Sequence, residues 1–215
     1  MTFDQKFLNL KRALFDKCYQ NLNAQQREAV YTSNGSVLIL AGAGSGKTTV
    51  LVRRITHIIK YGNAYESKQV DFEPTQRDID NMKRYLDGDE DVLFDIEDLL
   101  CVDPARPWQI LAITFTNKAA NELKSRLEAM LGEKGNDVWA STFHSTCVRI
   151  LRNEINYIGY DTNFVIYDES DQLTLLKMIL KEMNLDEKKF PPKGAAARIS
   201  THKNELRTPQ QAHFA

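Results

Sequence analysis

Cysteine is scarce in this sequence, and its few copies are not arranged as a site. Three cysteines occur among 215 residues, at Cys18, Cys101 and Cys147, and no two of them form a CxxC pair. An odd number at wide spacing disfavours both a disulfide framework and a structural zinc site. The sequence therefore predicts a protein of a reducing compartment.

Long apolar runs are also missing. The first residues, MTFDQKFLNLKRALFDK, interrupt their apolar positions with charges, so they lack the core of a signal peptide. No apolar stretch further along reaches the length of a membrane span. We expect a soluble, cytoplasmic protein that has no membrane partner.

An excess of positive charge is the third absence. The formal net charge is −1, so contact with nucleic acid must come from a local patch rather than from overall attraction. With 42% hydrophobic residues, the chain has enough apolar side chains for a sizeable core. One large domain or two unequal domains fit this length.

The clearest local pattern is an apolar run that leads into a glycine-rich loop. Residues 37–40 read VLIL, and the loop AGAGSG follows at once over residues 41–46. Downstream, five apolar residues fall on one helical stripe: Val50, Leu51, Ile55, Ile58 and Ile59. Gly62 is suited to end this helix. The pattern predicts a strand, a loop and a helix, in that order.

Strands and helices alternate again further along. Residues 110–115 predict a buried strand, and a helical stripe then runs to Gly132 through Ala120, Leu123, Leu127, Met130 and Leu131. Residues 138–141 predict a third strand, and a helix follows at about 144–153. After an apolar run at 164–167, another helix places these residues on one face: Leu173, Leu176, Leu180 and Met183. The alternation predicts an α/β fold whose mostly parallel sheet is covered by helices.

A long polar segment, residues 63–108, separates the first two of these units and is called the insertion below. It carries a run of acidic residues: Asp87, Asp89, Glu90, Asp91, Asp95, Glu97 and Asp98. Clustered acids repel one another and are well solvated. We therefore expect a solvated insertion with one or two short helices.

The glycine-rich loop matches the phosphate-loop pattern, except that alanine stands at its first glycine position. Its residues are Ala41, Gly42, Ala43, Gly44, Ser45, Gly46, Lys47 and Thr48. The glycines allow backbone N–H groups to turn inward around phosphates, and the following helix adds its positive end. Lys47 is predicted to reach the β- and γ-phosphates, and the Thr48 hydroxyl to hold Mg²⁺. These two residues are the predicted catalytic groups.

Four short motifs occur in a characteristic order. They are LNAQQREAV at residues 22–30, AGAGSGKT at 41–48, ITFTNKAA at 113–120 and STFH at 141–144. Together they closely resemble the superfamily 1 DNA helicases of the UvrD, PcrA and Rep group, over residues 22 to about 206. The resemblance implies a RecA-like P-loop NTPase fold. Residues 1–165 would form part of the first motor domain, and residues 166–215 the start of a helical inserted domain.

The same resemblance implies a function. It predicts the front part of an ATP-dependent helicase that moves 3′ to 5′ and unwinds duplex DNA in repair or replication. ATP and Mg²⁺ are the implied cofactors, and the implied partners are single-stranded DNA and duplex/single-strand junctions. The acidic pair that this group uses for hydrolysis is expected beyond Ala215, so binding without efficient turnover is expected of this stretch. A helicase subunit of a helicase-nuclease is an alternative that only further sequence distinguishes.

The resemblance also implies roles for two positions at the base of the nucleotide, one before the loop and one directly after its GKT. Gln26 resembles the adenine-reading glutamine of the group, whose amide both donates and accepts hydrogen bonds. Thr49 departs from the group, because an arginine that lies against adenine usually follows GKT. A threonine cannot stack on a base. Arg53 and Arg54, one turn further along the helix, either compensate or are surface charges.

Two further clusters are implied to contact single-stranded DNA. The first is Phe115, Thr116 and Asn117, placed where ligands gather at the carboxyl end of a strand. An aromatic ring stacks on any base, although Phe115 as a core residue is the alternative. The second cluster is Thr142, Phe143 and His144, whose hydroxyl and imidazole can reach phosphate oxygens. His144 has no cysteine, histidine or acid at metal-ligand spacing, which argues against a metal site.

One segment superficially resembles a Walker B strand. Residues 165–167 are apolar and are followed by Asp168 and Glu169, which could hold Mg²⁺ and activate water. This interpretation would make the chain a stand-alone nucleotide switch. The resemblance favours a different one, in which an aspartate-rich turn enters a helix, with Ser170 or Asp171 as its N-cap.

Overall fold

A computed structural model describes residues 2–42, 44–68 and 73–212 of the chain. The described residues form two compact units, Met1–Arg149 and Ile150–Ala215. The helices are α1 Phe3–Cys18, α2 Ala24–Tyr31, α3 Lys47–Lys60, α4 Gln76–Asp87, α5 Leu93–Glu97, α6 Asn117–Leu131, α7 Phe143–Glu154, α8 Glu169–Glu182, α9 Pro192–Asn204 and α10 Pro209–Ala212. The strands are β1 Leu111–Thr114 and β2 Trp139–Thr142.

A small parallel sheet lies in the first unit. Strands β1 and β2 pair in register, with Leu111 opposite Trp139 and Thr114 opposite Thr142. Helix α6 connects the two strands and packs on them through Ala120, Leu123 and Leu127. The other side chains in this core are Val52, Ile55, Ala112, Val138 and Ala140. The predicted α/β class with a parallel, helix-covered sheet is confirmed.

The strand predicted at residues 37–40 is wrong. This segment has no strand structure, and Leu38 and Leu40 are 82% and 87% exposed. A strand is held by hydrogen bonds to a neighbouring strand, and its apolar side chains gain nothing without a layer to cover them. Among the described residues, none pairs with this segment. The segment therefore has residues that favour a strand, but the described residues provide no neighbouring strand to pair with it.

Helix α3 begins where the loop pattern predicts, directly after Gly46. Gly46 is the N-cap with a φ of 82°, a conformation that glycine adopts readily. The buried face differs slightly from the predicted stripe, because Val52 is buried and Leu51 is exposed. Helix α3 is covered on two sides, by the sheet core through Val52 and by another core through Val50. Two covering layers make the buried face wider than one stripe.

The insertion is not the solvated segment that its composition predicts. Helix α4 buries Ile79 and Met82, and Ile96 and Leu100 are also fully buried. All four belong to the large apolar core that includes α1, α2 and α3. The acidic residues lie on the outside of these short helices, so charge and core occupy opposite faces. The predicted helices are present as α4 and α5, but the expectation of a solvated segment is wrong, because a high content of charge does not say where the charges fall around a helix.

Helix α1 and the insertion pack against each other. Lys17 donates from Nζ to the carbonyl of Leu86 at 3.2 Å and to that of Tyr85, at the end of α4. A cation at a helix C-terminus satisfies carbonyls that lack partners within the helix. On the inner face, the Phe15 ring makes edge contacts with Tyr61 and His57, at centroid distances of 5.1 and 5.2 Å. Together, α1 and the insertion form a helical layer over the last turns of α3.

The insertion also caps the C-terminal end of α3. The Ala105 N–H donates to the Ile58 carbonyl at 3.1 Å, and the Val102 N–H donates to the Tyr61 carbonyl at 3.0 Å. Gly62 lies at this junction with a φ of 62°, and a Cβ there would be 2.1 Å from the Val102 carbonyl oxygen. The end of α3 therefore requires both the returning chain of the insertion and a glycine.

His57 is a buried histidine in this layer. It is fully buried, and its Nδ1 lies 3.1 Å from the Tyr19 hydroxyl. Burial, and secondarily the nearby Arg54 charge, lower the pKa of His57 to about 4. An unfolded chain binds a proton at this residue below its ordinary pKa of about 6.5, whereas the folded chain does not. Stability is thus lost as the pH falls from 6.5 toward 4.

We expect His57 to reduce the free energy of unfolding by about 3 kcal/mol between pH 7 and pH 4. Urea unfolding of the wild type and of His57→Gln across this range measures the effect, because the variant lacks the titrating group. Thr56→Val, at a buried residue of the same helix that carries no titrating group, is the control and should keep the wild-type slope. Equal pH dependence in His57→Gln and wild type would contradict this origin.

The second unit is helical. Helices α8 and α9 pack against each other, and Leu180 of α8 is buried. The apolar run at 164–167 is not a strand. The N-cap of α8 is Asp168, which forms a capping box with Asp171, rather than Ser170 or Asp171 as predicted. No helix within the described residues has the length and apolarity needed to cross a membrane.

Candidate functional site

The glycine-rich loop leads directly into α3. Gly44 and Gly46 have φ values of 75° and 82°, which turn the backbone sharply just before the helix. The Ser45 hydroxyl donates to the Gly42 carbonyl at 2.7 Å and closes the turn. Ala43 lies outside the described residues. A left-handed turn followed by a helix N-terminus gathers N–H groups into a site for an anion.

Lys47 is folded back onto this loop. Its Nζ donates to the Ala41 carbonyl at 3.0 Å and to the Gly42 carbonyl at 2.6 Å, and the side chain is exposed. The ammonium group is therefore held at the mouth of the loop by weak, replaceable acceptors. A phosphate carries more negative charge than a carbonyl oxygen and forms stronger hydrogen bonds. Lys47 is thus placed to exchange these carbonyls for phosphate oxygens.

Gln26 touches the loop from the first turn of α2. The Gln26 N–H donates to Asn23 Oδ1 at 2.9 Å, and Gln26 Oε1 accepts from the Asn23 N–H at 3.1 Å. Its Nε2 donates to the Ser45 carbonyl at 3.2 Å. A cavity of about 230 Å³ lies between Gln26, Ser45 and Lys47. An amide and an ammonium group thus line one small cavity beside the loop.

Thr48 and Thr49 occupy the first turn of α3, and both are exposed. The described residues contain no group of three or more His, Cys, Asp or Glu side chains that could hold a metal ion. Mg²⁺ is commonly bound by few protein ligands together with water and substrate phosphates. A hydroxyl beside an anion-binding helix terminus fits that mode, and Thr48 is the residue that could provide it.

Arg53 and Arg54 have different surroundings on α3. The Arg54 Nη1 donates to the Ala29 carbonyl at 2.6 Å and also to the Thr32 carbonyl, at the end of α2. Burial lowers the pKa of Arg54. Arg54 is therefore held against the end of α2, and compensation for Thr49 by an arginine stays a prediction. Arg53 is half-buried.

Phe115 lies at the end of β1 and is 91% exposed. The Phe143 ring, at the end of β2, is 5.6 Å away between centroids and tilted by 46°. Parallel strands end at the same edge of a sheet, which brings the two rings together. Exposure of this kind is unusual for phenylalanine and argues against a role in the core. The two aromatic residues form one exposed surface, called the aromatic pair below.

The polar residues beside the aromatic pair serve partly as helix caps. Thr116 Oγ1 accepts from the Ala119 N–H at 3.2 Å and caps α6, whose first residue is the exposed Asn117. Thr142 is buried, and its hydroxyl lies 3.0 Å from the Ser145 hydroxyl. His144 is exposed. Asn117 and His144 are therefore free to reach a ligand, whereas the two threonines position the helix starts.

The acidic residues of the apparent Walker B segment have another role. Asp168 Oδ1 accepts from the Asp171 N–H at 2.8 Å as the N-cap of α8, and Glu169 is the first residue of that helix. Hydrogen bonding from the Asp171 backbone, with Ser170 contributing, lowers the pKa of Asp168. The Asp168 carboxylate thus caps a helix, and no strand precedes the two acidic residues.

The sequence did not predict the contacts that Asn23 and Arg54 make. Asn23 lines the cavity and holds Gln26 in place, and Arg54 connects α3 to α2. Asn23 could have been found, because Asn-x-x-Gln ahead of an apolar run is a capping-box pattern. Arg54 could not, since no local rule says which of two adjacent arginines turns inward.

Comparison with known proteins gives consistent findings. Residues 22–71 and 95–215 match the model of the UvrD/REP helicase N-terminal domain. The chain is 45% identical over 190 residues to the ATP-dependent DNA helicase PcrA of Bacillus subtilis, covering 88% of this chain and 20% of that protein. Identity is 42% over 193 residues to PcrA of Staphylococcus epidermidis, covering 90% of this chain and 21% of that protein. Identity to PcrA of Staphylococcus aureus is 41% over 192 residues, covering 89% of this chain and 21% of that protein.

Proposed function

Because this chain belongs to the UvrD/REP helicase N-terminal domain family, we propose that it is the ATP- and single-stranded-DNA-binding front part of an ATP-dependent DNA helicase. The family has the RecA-like P-loop NTPase fold. The chain spans about a fifth of the length of the curated relatives that it matches. Unwinding of duplex DNA, with 3′ to 5′ movement, is proposed for the protein that contains the whole motor.

The geometry of the loop is the observation that carries the nucleotide site. Gly44 and Gly46 turn the chain before α3, and Lys47 lies at the mouth of that turn. We assign the triphosphate to this turn, with Lys47 neutralising the β- and γ-phosphates. Thr48 would hold Mg²⁺, which draws negative charge from the same phosphates when it is bound. We assign the adenine to Gln26. Its side-chain amide would give up the hydrogen bond to the Ser45 carbonyl and form hydrogen bonds with the base instead.

The aromatic pair supports the assignment of single-stranded DNA. Two exposed rings 5.6 Å apart can each stack on an unpaired base, and stacking needs no particular sequence. Asn117 and His144 lie beside the rings and supply polar groups for the phosphate backbone. A motor that moves along a strand requires contacts of this sequence-tolerant kind. Base stacking at Phe115 is therefore the central DNA contact of the proposal.

Phe115→Ala is expected to weaken binding of single-stranded DNA by about tenfold, because stacking contributes about 1–3 kcal/mol per base. Fluorescence anisotropy with a labelled oligonucleotide of mixed sequence measures the change. Nucleotide binding by the same variant should stay at the wild-type level.

Phe94→Ala is the matched control for this experiment. Phe94 is 88% exposed, nearly as much as Phe115, but it lies in the insertion. Its removal should leave DNA affinity unchanged. Equal affinities of wild type and Phe115→Ala would remove Phe115 from the DNA site, whereas equal losses in both variants would indicate nonspecific apolar binding.

A further inference from the structure

We propose that Arg54 is a positioning residue for base recognition, because it fixes the short helix that carries Gln26 against the helix that carries Lys47. This inference rests on the proposed nucleotide site and adds a residue to it. Arg54 lies two turns along α3 from the loop, and we assign it no contact with the nucleotide. Its role is to fix the position of the Gln26 side-chain amide.

Helix α2 needs tertiary support, since it has only eight residues. Helices of that length are not stable alone in water, because nucleation is costly and few hydrogen bonds follow it. Its N-terminal end is supported by the capping box between Asn23 and Gln26. Its C-terminal end depends on other parts of the chain for partners to its last carbonyls.

Arg54 supplies those partners. The Nη1 donates to the Ala29 and Thr32 carbonyls, in the last turn and C-cap of α2. A guanidinium there also interacts favourably with the negative end of the helix dipole. The side chain is half-buried, so water competes only partly for these carbonyls. Arg54 thus connects α3 to α2 through hydrogen bonds that are partly shielded from water.

The same link determines the position of Gln26. At the other end of α2, the Gln26 Nε2 donates to the Ser45 carbonyl at 3.2 Å. A Cβ at position 46 would lie 3.1 Å from this nitrogen, so glycine there lets the amide come close to the loop. Movement away from the loop is what the Arg54 bonds oppose. Loss of these hydrogen bonds should therefore weaken binding of the base more than binding of the phosphates.

Calorimetric titration of the chain with ATP, GTP and inorganic tripolyphosphate, each with Mg²⁺, separates these effects. In Arg54→Met we expect ATP affinity to fall about tenfold and tripolyphosphate affinity to stay within about twofold, so that the ATP/GTP preference shrinks. Arg54→Lys keeps a cation and a donor and should recover part of the preference. Lys60→Met, at the C-terminal end of the same helix, should behave as wild type.

A double-mutant cycle with Gln26→Ala tests whether Arg54 acts through Gln26. In the Gln26→Ala background, Arg54→Met should cause no further loss of the ATP/GTP preference. The partial variant Arg54→Lys serves the same cycle if Arg54→Met does not fold. Additive losses in the cycle would overturn the inference, as would an equal fall in ATP and tripolyphosphate affinity. Wild type that binds none of the three would contradict the nucleotide site itself, and this inference with it.

Discussion

Lys47→Ala is expected to lower the affinity for ATP by about 100-fold or more. Hydrogen bonds to charged groups contribute about 1.5–3 kcal/mol each, and Lys47 is assigned to two phosphates. The side chain is exposed, and among the described residues its bonds go to the Ala41 and Gly42 carbonyls of its own loop. Its removal therefore costs little stability, and the loss of affinity reports on the phosphates. Titration with a fluorescent ATP analogue measures it.

Lys60→Ala is the matched control on the same helix. Lys60 lies at the opposite end of α3, where its ion pair with Glu97 has an N–O distance of 3.0 Å. Exposed pairs of this kind contribute about 1 kcal/mol or less to stability. ATP affinity should therefore not change in Lys60→Ala. An unchanged affinity in Lys47→Ala would instead remove the phosphate-binding assignment.

Phe15→Ala is expected to lower the free energy of unfolding by about 3–5 kcal/mol, the usual cost of removing a fully buried aromatic ring. Phe15 lies on α1, which precedes the residues that match the family model. Its ring nevertheless contacts His57 and Tyr61 at the end of α3. A loss of this size is a large part of the stability of a domain.

Urea unfolding, followed both by far-UV circular dichroism and by tyrosine fluorescence, measures this effect. Because α1, the insertion and α3 share one core, both signals should shift together in Phe15→Ala. Phe3→Ala, at an exposed phenylalanine of the same helix, should cost about 1 kcal/mol or less. If the fluorescence transition alone moved, α1 and the insertion would be an independent attachment rather than part of one cooperative unit.

Where local chemistry decides the structure, the sequence was sufficient. Gly46 before Lys47 marks the start of α3, and Thr116 before Asn117 suits the start of α6. Strands β1 and β2 were predicted from apolar runs within a few residues of their bounds. Glycine conformations, N-caps and helical stripes depend on neighbours in the chain. The loop and the positions of the aromatic pair could be predicted for that reason.

Where a partner decides the structure, the sequence was misleading. Residues 37–40 have the composition of a strand, but composition does not provide the neighbouring strand that makes one. In the insertion, the error was to expect solvation where a core forms. The many acidic residues drew attention away from the helical spacing of the apolar ones, Ile79 with Met82 and Ile96 with Leu100. Burial in that segment depends on α1, which lies about 60 residues or more away in sequence. The inward turn of Arg54 likewise depends on α2.

The two ends of the insertion meet at a narrow neck. The Asn63 N–H donates to the Val102 carbonyl at 2.8 Å, and Gly62 and Val102 form a parallel bridge. The backbone therefore returns to the end of α3 at Val102, before it continues to β1. Since the entropy of closing a loop grows slowly with its length, the neck tolerates extra residues within the insertion. A sensor or fluorescent domain with adjacent termini therefore suits an exposed position inside the insertion rather than a replacement of it, because α1, the insertion and α3 share one core.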